Sequence, residues 1–275
     1  MSRKSSRLPT LFISHGGGPC FFLEPGEMFP PGTWDNMAAH LRRLQSDVGA
    51  VPKALLVVSA HWEQRVCTVY SPLRTKLLYD YYGFPPAAYA LTYPAAGSPS
   101  VGDDVRTLLT AAGISSAQDE DRGFDHGVFI PMKLAFPEAD IPIVQLSLRT
   151  GLDAATHLAI GAALAPLRDR EVLIVGSGMS YHNLRALSSP SGNLAAQLFD
   201  QWLNGAVTGA DPSLRNVKLT EWACAPGAQE AHPRAEHLAP LLVASGAAGE
   251  DIGQRTYSEL VFGKPVSSFQ FGTAA

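Results

Sequence analysis

Residues 54–60 read ALLVVSA and are followed at once by His61. An apolar run of strand length without polar alternation describes a strand buried on both faces, as in a sheet covered by helices. Three other runs share this character: TLFIS at 10–14, IPIVQLSL at 141–148 and EVLIV at 171–175. Helical patterns lie between and after them, at 35–45, 101–112, 153–167 and 194–204, with one more helix expected to begin near Pro233. This alternation predicts an α/β fold: a single domain over residues 1–275 with a central mixed, largely parallel sheet flanked by helices. Residues 77–100, which end in YDYYGFPPAAYALTYPAAGSPS, carry neither period and are expected as a long ordered loop of the kind that often serves function.

Composition narrows the function classes. With 46% hydrophobic residues among 275, the chain can bury a full core. No segment reaches the roughly 18 uninterrupted apolar residues of a membrane span. The opening MSRKSSRLPT leads straight into a strand-like run and is expected as a frayed terminus rather than a signal segment. A net charge of −4 without a basic block gives no footprint for nucleic acid. Three cysteines with no C-x-x-C spacing argue against a disulfide framework and for a cytoplasmic protein.

The histidines carry the chemistry. His15 follows TLFIS and precedes Gly16–Gly17–Gly18; His61 follows ALLVVSA; His182 follows EVLIV after Gly176–Ser177–Gly178, read as a short turn. Ligands bind outside the carboxyl ends of strands in open α/β sheets, so these three segments are expected to converge on one crevice. Imidazole suits iron, zinc, copper or nickel, and a catalytic metal keeps open positions for substrate. A lone histidine is more often a hydrogen-bonded structural residue; three at successive strand ends are not.

AHPRAEHLAP (231–240) adds His232 and His237. If Pro233 opens a helix, five residues rotate the two rings about 140° apart, so both cannot reach one metal. His237 is the preferred ligand, with Glu236 the competing one, since a carboxylate would complete a 2-His-1-carboxylate triad. In GFDHGVFIP (123–131), Asp125 is read either as orienting His126 or as a helix N-cap. His40 and His157 lie in amphipathic helical patterns and are expected to be surface or packing residues.

Taken together, LFISHGGGP, VVSAHWE, YDYYGFPP, GFDHGVFIP, DIPIVQLSL, VGSGMSYHNL and HPRAEHLAPLLVASGAA resemble, in order and spacing, the class III extradiol ring-cleavage dioxygenases of the DOPA-dioxygenase type, related to the protocatechuate 4,5-dioxygenase catalytic subunit. The resemblance implies that His15 and His61 are metal ligands. His237 falls where the protocatechuate type has a metal-binding glutamate and the DOPA type a histidine, a departure from the carboxylate triad. His182 matches the acid/base histidine and His126 an active-site histidine near the substrate. Fe(II) is the implied catalytic metal, with Zn(II) able to occupy the site. A catechol-type aromatic and O2 are the implied reactants. Histidine is suited to passing a proton both ways at neutral pH. The loop residues Tyr79, Tyr81, Tyr82, Phe84 and Tyr89 are candidates for a lid or wall against a flat ring, or for packing under the loop. Two rival readings are a zinc hydrolase, against which stands the lack of an H-E-x-x-H arrangement, and a non-catalytic Memo-like binding protein on the same fold.

Overall fold

A computed structural model describes residues 7–190, 192–209 and 211–274; the opening residues 1–6, expected as a frayed terminus, lie outside them. In chain order the elements are β1 (Thr10–Ser14), α1 (Asp35–Val48), β2 (Ala54–Gln64), β3 (Cys67–Tyr70), α2 (Pro99–Ala111) and β4 (Ser116–Gln118). Next come α3 (His126–Ala135), β5 (Ile143–Arg149), α4 (Ala154–Leu164), β6 (Val172–Gly178), α5 (Asn193–Val207) and α6 (Pro212–Thr220). The chain closes with α7 (Ala228–Ala231), α8 (Ala239–Ala248), β7 (Gly253–Val261) and β8 (Lys264–Phe271). None of these helices is long and apolar enough to cross a membrane.

All eight strands join one sheet in the order β4-β3-β5-β2-β6-β1-β8-β7. Its centre, β5-β2-β6-β1, is parallel, and β8 and β7 extend it antiparallel. The sheet is therefore mixed and its parallel strands apolar on both faces. Leu55, Val57 and Val175 pack with Leu41, Leu44, Phe129 and Phe199 on one side. Leu56, Val58 and Ile174 pack with Val105, Leu109, Ile160 and Val243 on the other. Burying apolar side chains on both faces is what unalternated strands require, at about 25 cal/mol per Å² of apolar surface removed from water.

Several local expectations change. Gly176–Ser177–Gly178 is no turn; β6 runs through it. A Cβ on Gly176 would lie 2.2 Å from the Pro240 carbonyl oxygen, and one on Gly178 2.1 Å from that of His237. These glycines let the segment before α8 lie directly on the strand. The last helix begins at Ala239 with Pro240, not Pro233, in its first turn. Residues 232–238 form a bend between α7 and α8 instead. The carboxyl ends of β1, β2 and β6 thus lie side by side, and the bend is pinned beside them by Met179 N–H donating to the His237 carbonyl at 3.1 Å.

Candidate metal centre

β2 is expected to end at Ala60, but it continues to Gln64 across a break in register. Val58 pairs with Leu146 and Glu63 with Leu148, so Ser59 through Trp62 stand against Ser147 alone. Bulges next to active sites re-aim side chains, and this one lifts His61 out of the ladder toward β1. There the ring nitrogens Nε2 of His61 and His15 lie 3.2 Å apart.

The hydrogen bonds fix how these rings present themselves. Ser177 Oγ donates to the Gly127 carbonyl and so accepts from His15 Nδ1–H at 3.0 Å. His15 Nε2 therefore carries a lone pair. His126 donates Nδ1–H to Asp80 Oδ1 at 2.8 Å, and the same oxygen takes the His126 backbone N–H at 2.9 Å. His61 Nδ1 faces the other oxygen of Asp80 at 3.7 Å. Glu236 Oε1 lies 3.1 Å from Nδ1 of both His182 and His237. Their rings stack with centroids 3.3 Å apart. His15, His126, His182 and His237 thus engage Nδ1 with a serine or carboxylate, His61 turns its Nδ1 toward one at longer range, and all five rings line one cavity. A hydrogen bond on one nitrogen that frees the other for an ion is the usual support of metal-binding histidines.

Electrostatics agree. Burial lowers the pKa of His15 and His237 well below the ordinary value, with neighbouring histidines adding to it, and lowers that of His61 to about 3. These rings are neutral at physiological pH, the form a metal needs. Burial opposes charge on Asp80 and Glu236, but their histidine partners outweigh it and hold both carboxyl groups below the usual range.

Two groupings of donors satisfy a metal's need for proximity. His15, His61 and His126 form one, and His182, Glu236 and His237 the other. Ring spacing separates the possibilities. Imidazoles that hold one ion through Nε2 at about 2.1 Å, at angles of about 90–110°, keep centroids roughly 4.6–5.3 Å apart. The His15–His61, His61–His237 and His15–His237 separations are 5.0, 4.8 and 5.3 Å. His126 lies 3.9 Å from His61 and 5.6 Å from His15, outside that range on both sides.

The remaining histidines lie apart. His232 is buried and donates Nε2–H to the Ser180 carbonyl at 2.9 Å. His157 is held between the Asp153 carbonyl and Arg149 N–H, and His40 stacks on Tyr257. Asp125 stands at the N-cap of α3 without capping it. Its carboxylate takes Ser59, Arg122 and Gln145, and Asp80 orients His126 instead. Sequence reasoning passed over Asp80 and Ser177; the only trace of Asp80 was its place in the aromatic loop. Of that loop's rings, Tyr81, Tyr82 and Phe84 line the cavity, whereas Tyr79 bonds the Leu91 carbonyl beneath the loop.

Residues 9–269 match the family described as the catalytic LigB subunit of aromatic ring-opening dioxygenase. The chain is 43% identical to a protein of Beta vulgaris named 4,5-DOPA dioxygenase extradiol, over 73% of this chain and 75% of that one. It is 34% identical to a protein of the same name from Escherichia coli, over 88% and 86%. A dioxygenase of Hapsidospora irregularis is 36% identical over 98% of this chain and 87% of its own. The solved structure of an uncharacterized Escherichia coli protein superposes with a TM-score of 0.76 at 30% identity, covering 97% of this chain and all of that one.

Proposed function

The chain belongs to the family of the catalytic LigB subunit of aromatic ring-opening dioxygenase, and from that premise we propose which of its residues perform the reaction. It is a metal-dependent extradiol dioxygenase, for which a catechol-type substrate fits. In the proposal residues 1–275 act as one catalytic domain, His15, His61 and His237 hold the metal, and the metal is Fe(II), with Zn(II) an inactive occupant. The observation that carries it is the set of imidazoles that turn Nδ1 to Ser177, Asp80 and Glu236 and line one cavity.

Three neutral imidazoles fit a divalent ion and leave positions open. Iron held by these residues would supply the Lewis-acid and redox chemistry that a reaction between a catechol and O2 needs. His182 accepts a proton from a catechol hydroxyl at Nε2, and Glu236 stabilises the resulting imidazolium through Nδ1–H. The same imidazolium can return that proton to a substrate oxygen as the ring opens. His126, its Nδ1–H committed to Asp80, accepts a hydrogen bond from the substrate at Nε2. Gly16 to Gly18 line the cavity, and a Cβ on Gly18 would lie 3.0 Å from the ring of Phe84, which lines it too.

A second reading makes His126 the third ligand, because its nitrogen lies within 4.8 Å of those of His15 and His61. Metal content and catechol-dependent oxygen uptake decide between them. His61→Ala and His237→Ala should lose metal. His126→Ala and His182→Ala should keep it, with His182→Ala slowed by about 10²–10⁴-fold. Metal retained in His237→Ala but lost in His126→Ala establishes the second reading. Metal lost in His182→Ala makes that residue a ligand and ends its acid/base role.

A further inference from the structure

The cavity of about 400 Å³ is far larger than a bare catechol needs. Beyond the histidines its wall is mainly apolar, with Phe29, Trp34, Leu187 and Val266, and its polar side chains are the uncharged Asn183, Tyr81, Tyr82 and Tyr181. Among the described residues lining it there is no Asp, Glu, Lys or Arg. The charged groups nearby lie behind the histidines or in adjoining depressions. Asp80 and Glu236 are bonded behind the histidines, and Arg234 reaches Glu63 and Glu236. Asp35 and Arg42 line a neighbouring depression that shares Phe29 and Trp34 with the cavity, and Arg185 lines another that shares His182, Asn183 and Leu184 with it, but neither arginine is part of the cavity lining.

We propose that the catechol opened here carries an apolar substituent, alkyl or aryl, and not an amino-acid or carboxylate side chain. This rests on the dioxygenase reading and deepens it. With the two hydroxyls at the histidine end, a substituent enters the apolar part of the cavity. A carboxylate or ammonium group there gives up its hydration with no counter-charge in return. An alkyl group instead gains the transfer free energy of every methylene it buries, about fourfold in affinity each. The several relatives named for DOPA are therefore no guide to this chain's substituent specificity.

The test uses the full chain reconstituted with Fe(II), measuring oxygen uptake with catechol, 4-methyl-, 4-ethyl- and 4-propylcatechol, L-DOPA and 3,4-dihydroxybenzoate. Calorimetry on the zinc-loaded protein reads binding without turnover. Both kcat/KM and Kd should improve about fourfold per methylene, and 4-propylcatechol should exceed L-DOPA and dihydroxybenzoate at least tenfold. Val266→Thr, nearly isosteric, should weaken 4-propylcatechol more than 4-methylcatechol; if that variant does not fold, the ligand series on the parent protein still decides. A flat alkyl series, or charged catechols preferred, overturns this inference alone and leaves the dioxygenase standing. Failure to open any of the six catechols overturns both.

Discussion

At the scale of single residues, the site depends on groups that touch no substrate. Asp80 binds His126 through both backbone N–H and Nδ1 and faces His61, so it is a positioning residue for two rings. Asp80→Ala removes the acceptor that fixes the His126 tautomer. Loss of such a supporting carboxylate typically costs about 10–100-fold in activity or metal affinity, and Asp80→Asn, which keeps one acceptor oxygen, should recover part of it. The measurement is metal content together with kcat and KM. Full activity in Asp80→Ala would show that His126 needs no orienting partner. His15 and His61 were legible because each follows an apolar run, whereas His126 and His237 follow none and were marked by the resemblance. Asp80, Ser177 and Glu236 in its actual role were not legible, since each acts on rings brought to it from elsewhere in the chain.

At the scale of elements, close approach is bought with glycine. α4 and α8 cross where Gly161 faces the Val243 carbonyl and Gly246 the Leu158 carbonyl, and a Cβ on either would lie 2.0 Å from that oxygen. Backbone cannot yield as a side chain does, so Gly161→Ala should destabilise by about 3 kcal/mol. Gly205→Ala in α5 meets nothing within 4 Å and should stabilise by up to about 1 kcal/mol. Chemical denaturation of the two variants side by side checks both signs; equal effects would show that the α4–α8 contact adjusts freely. The same principle explains why a Gly-Ser-Gly expected as a turn is strand. The C-terminal hairpin escaped sequence reading for another reason. β8 is fully buried yet contains Ser267 and Ser268, which break the apolar pattern. Their hydroxyls are satisfied only across the fold, by Asp200 and by the backbone N–H of Ser14.

For the whole molecule, buried histidines outside the metal centre tie stability to pH. Burial lowers the pKa of His40 and of His232 to about 4. The unfolded chain protonates these groups near the ordinary value of about 6.5, before the folded chain does. Their contribution is therefore complete above that pH and is lost as pH falls from about 6.5 toward 4, on the order of 3 kcal/mol for each. Among the described residues neither ring nitrogen of His40 has a hydrogen-bond partner. His40→Phe, which keeps a ring against Tyr257, should raise Tm at pH 5 and flatten the acid side of the stability curve. An unchanged slope would show that other groups govern acid unfolding. What the sequence determined by itself was whatever local pattern encodes: four apolar strands buried on both faces, the helices between them, and His15 and His61 near the carboxyl ends of two strands. Only the tertiary structure decided that β2 bulges to raise His61, that Glu236 serves two imidazoles, that the last helix begins at Ala239, and that the cavity beyond the histidines is lined without Asp, Glu, Lys or Arg among the described residues. Those features are set by contacts between segments tens to hundreds of residues apart, and no period along the chain records which carbonyl will press on which glycine.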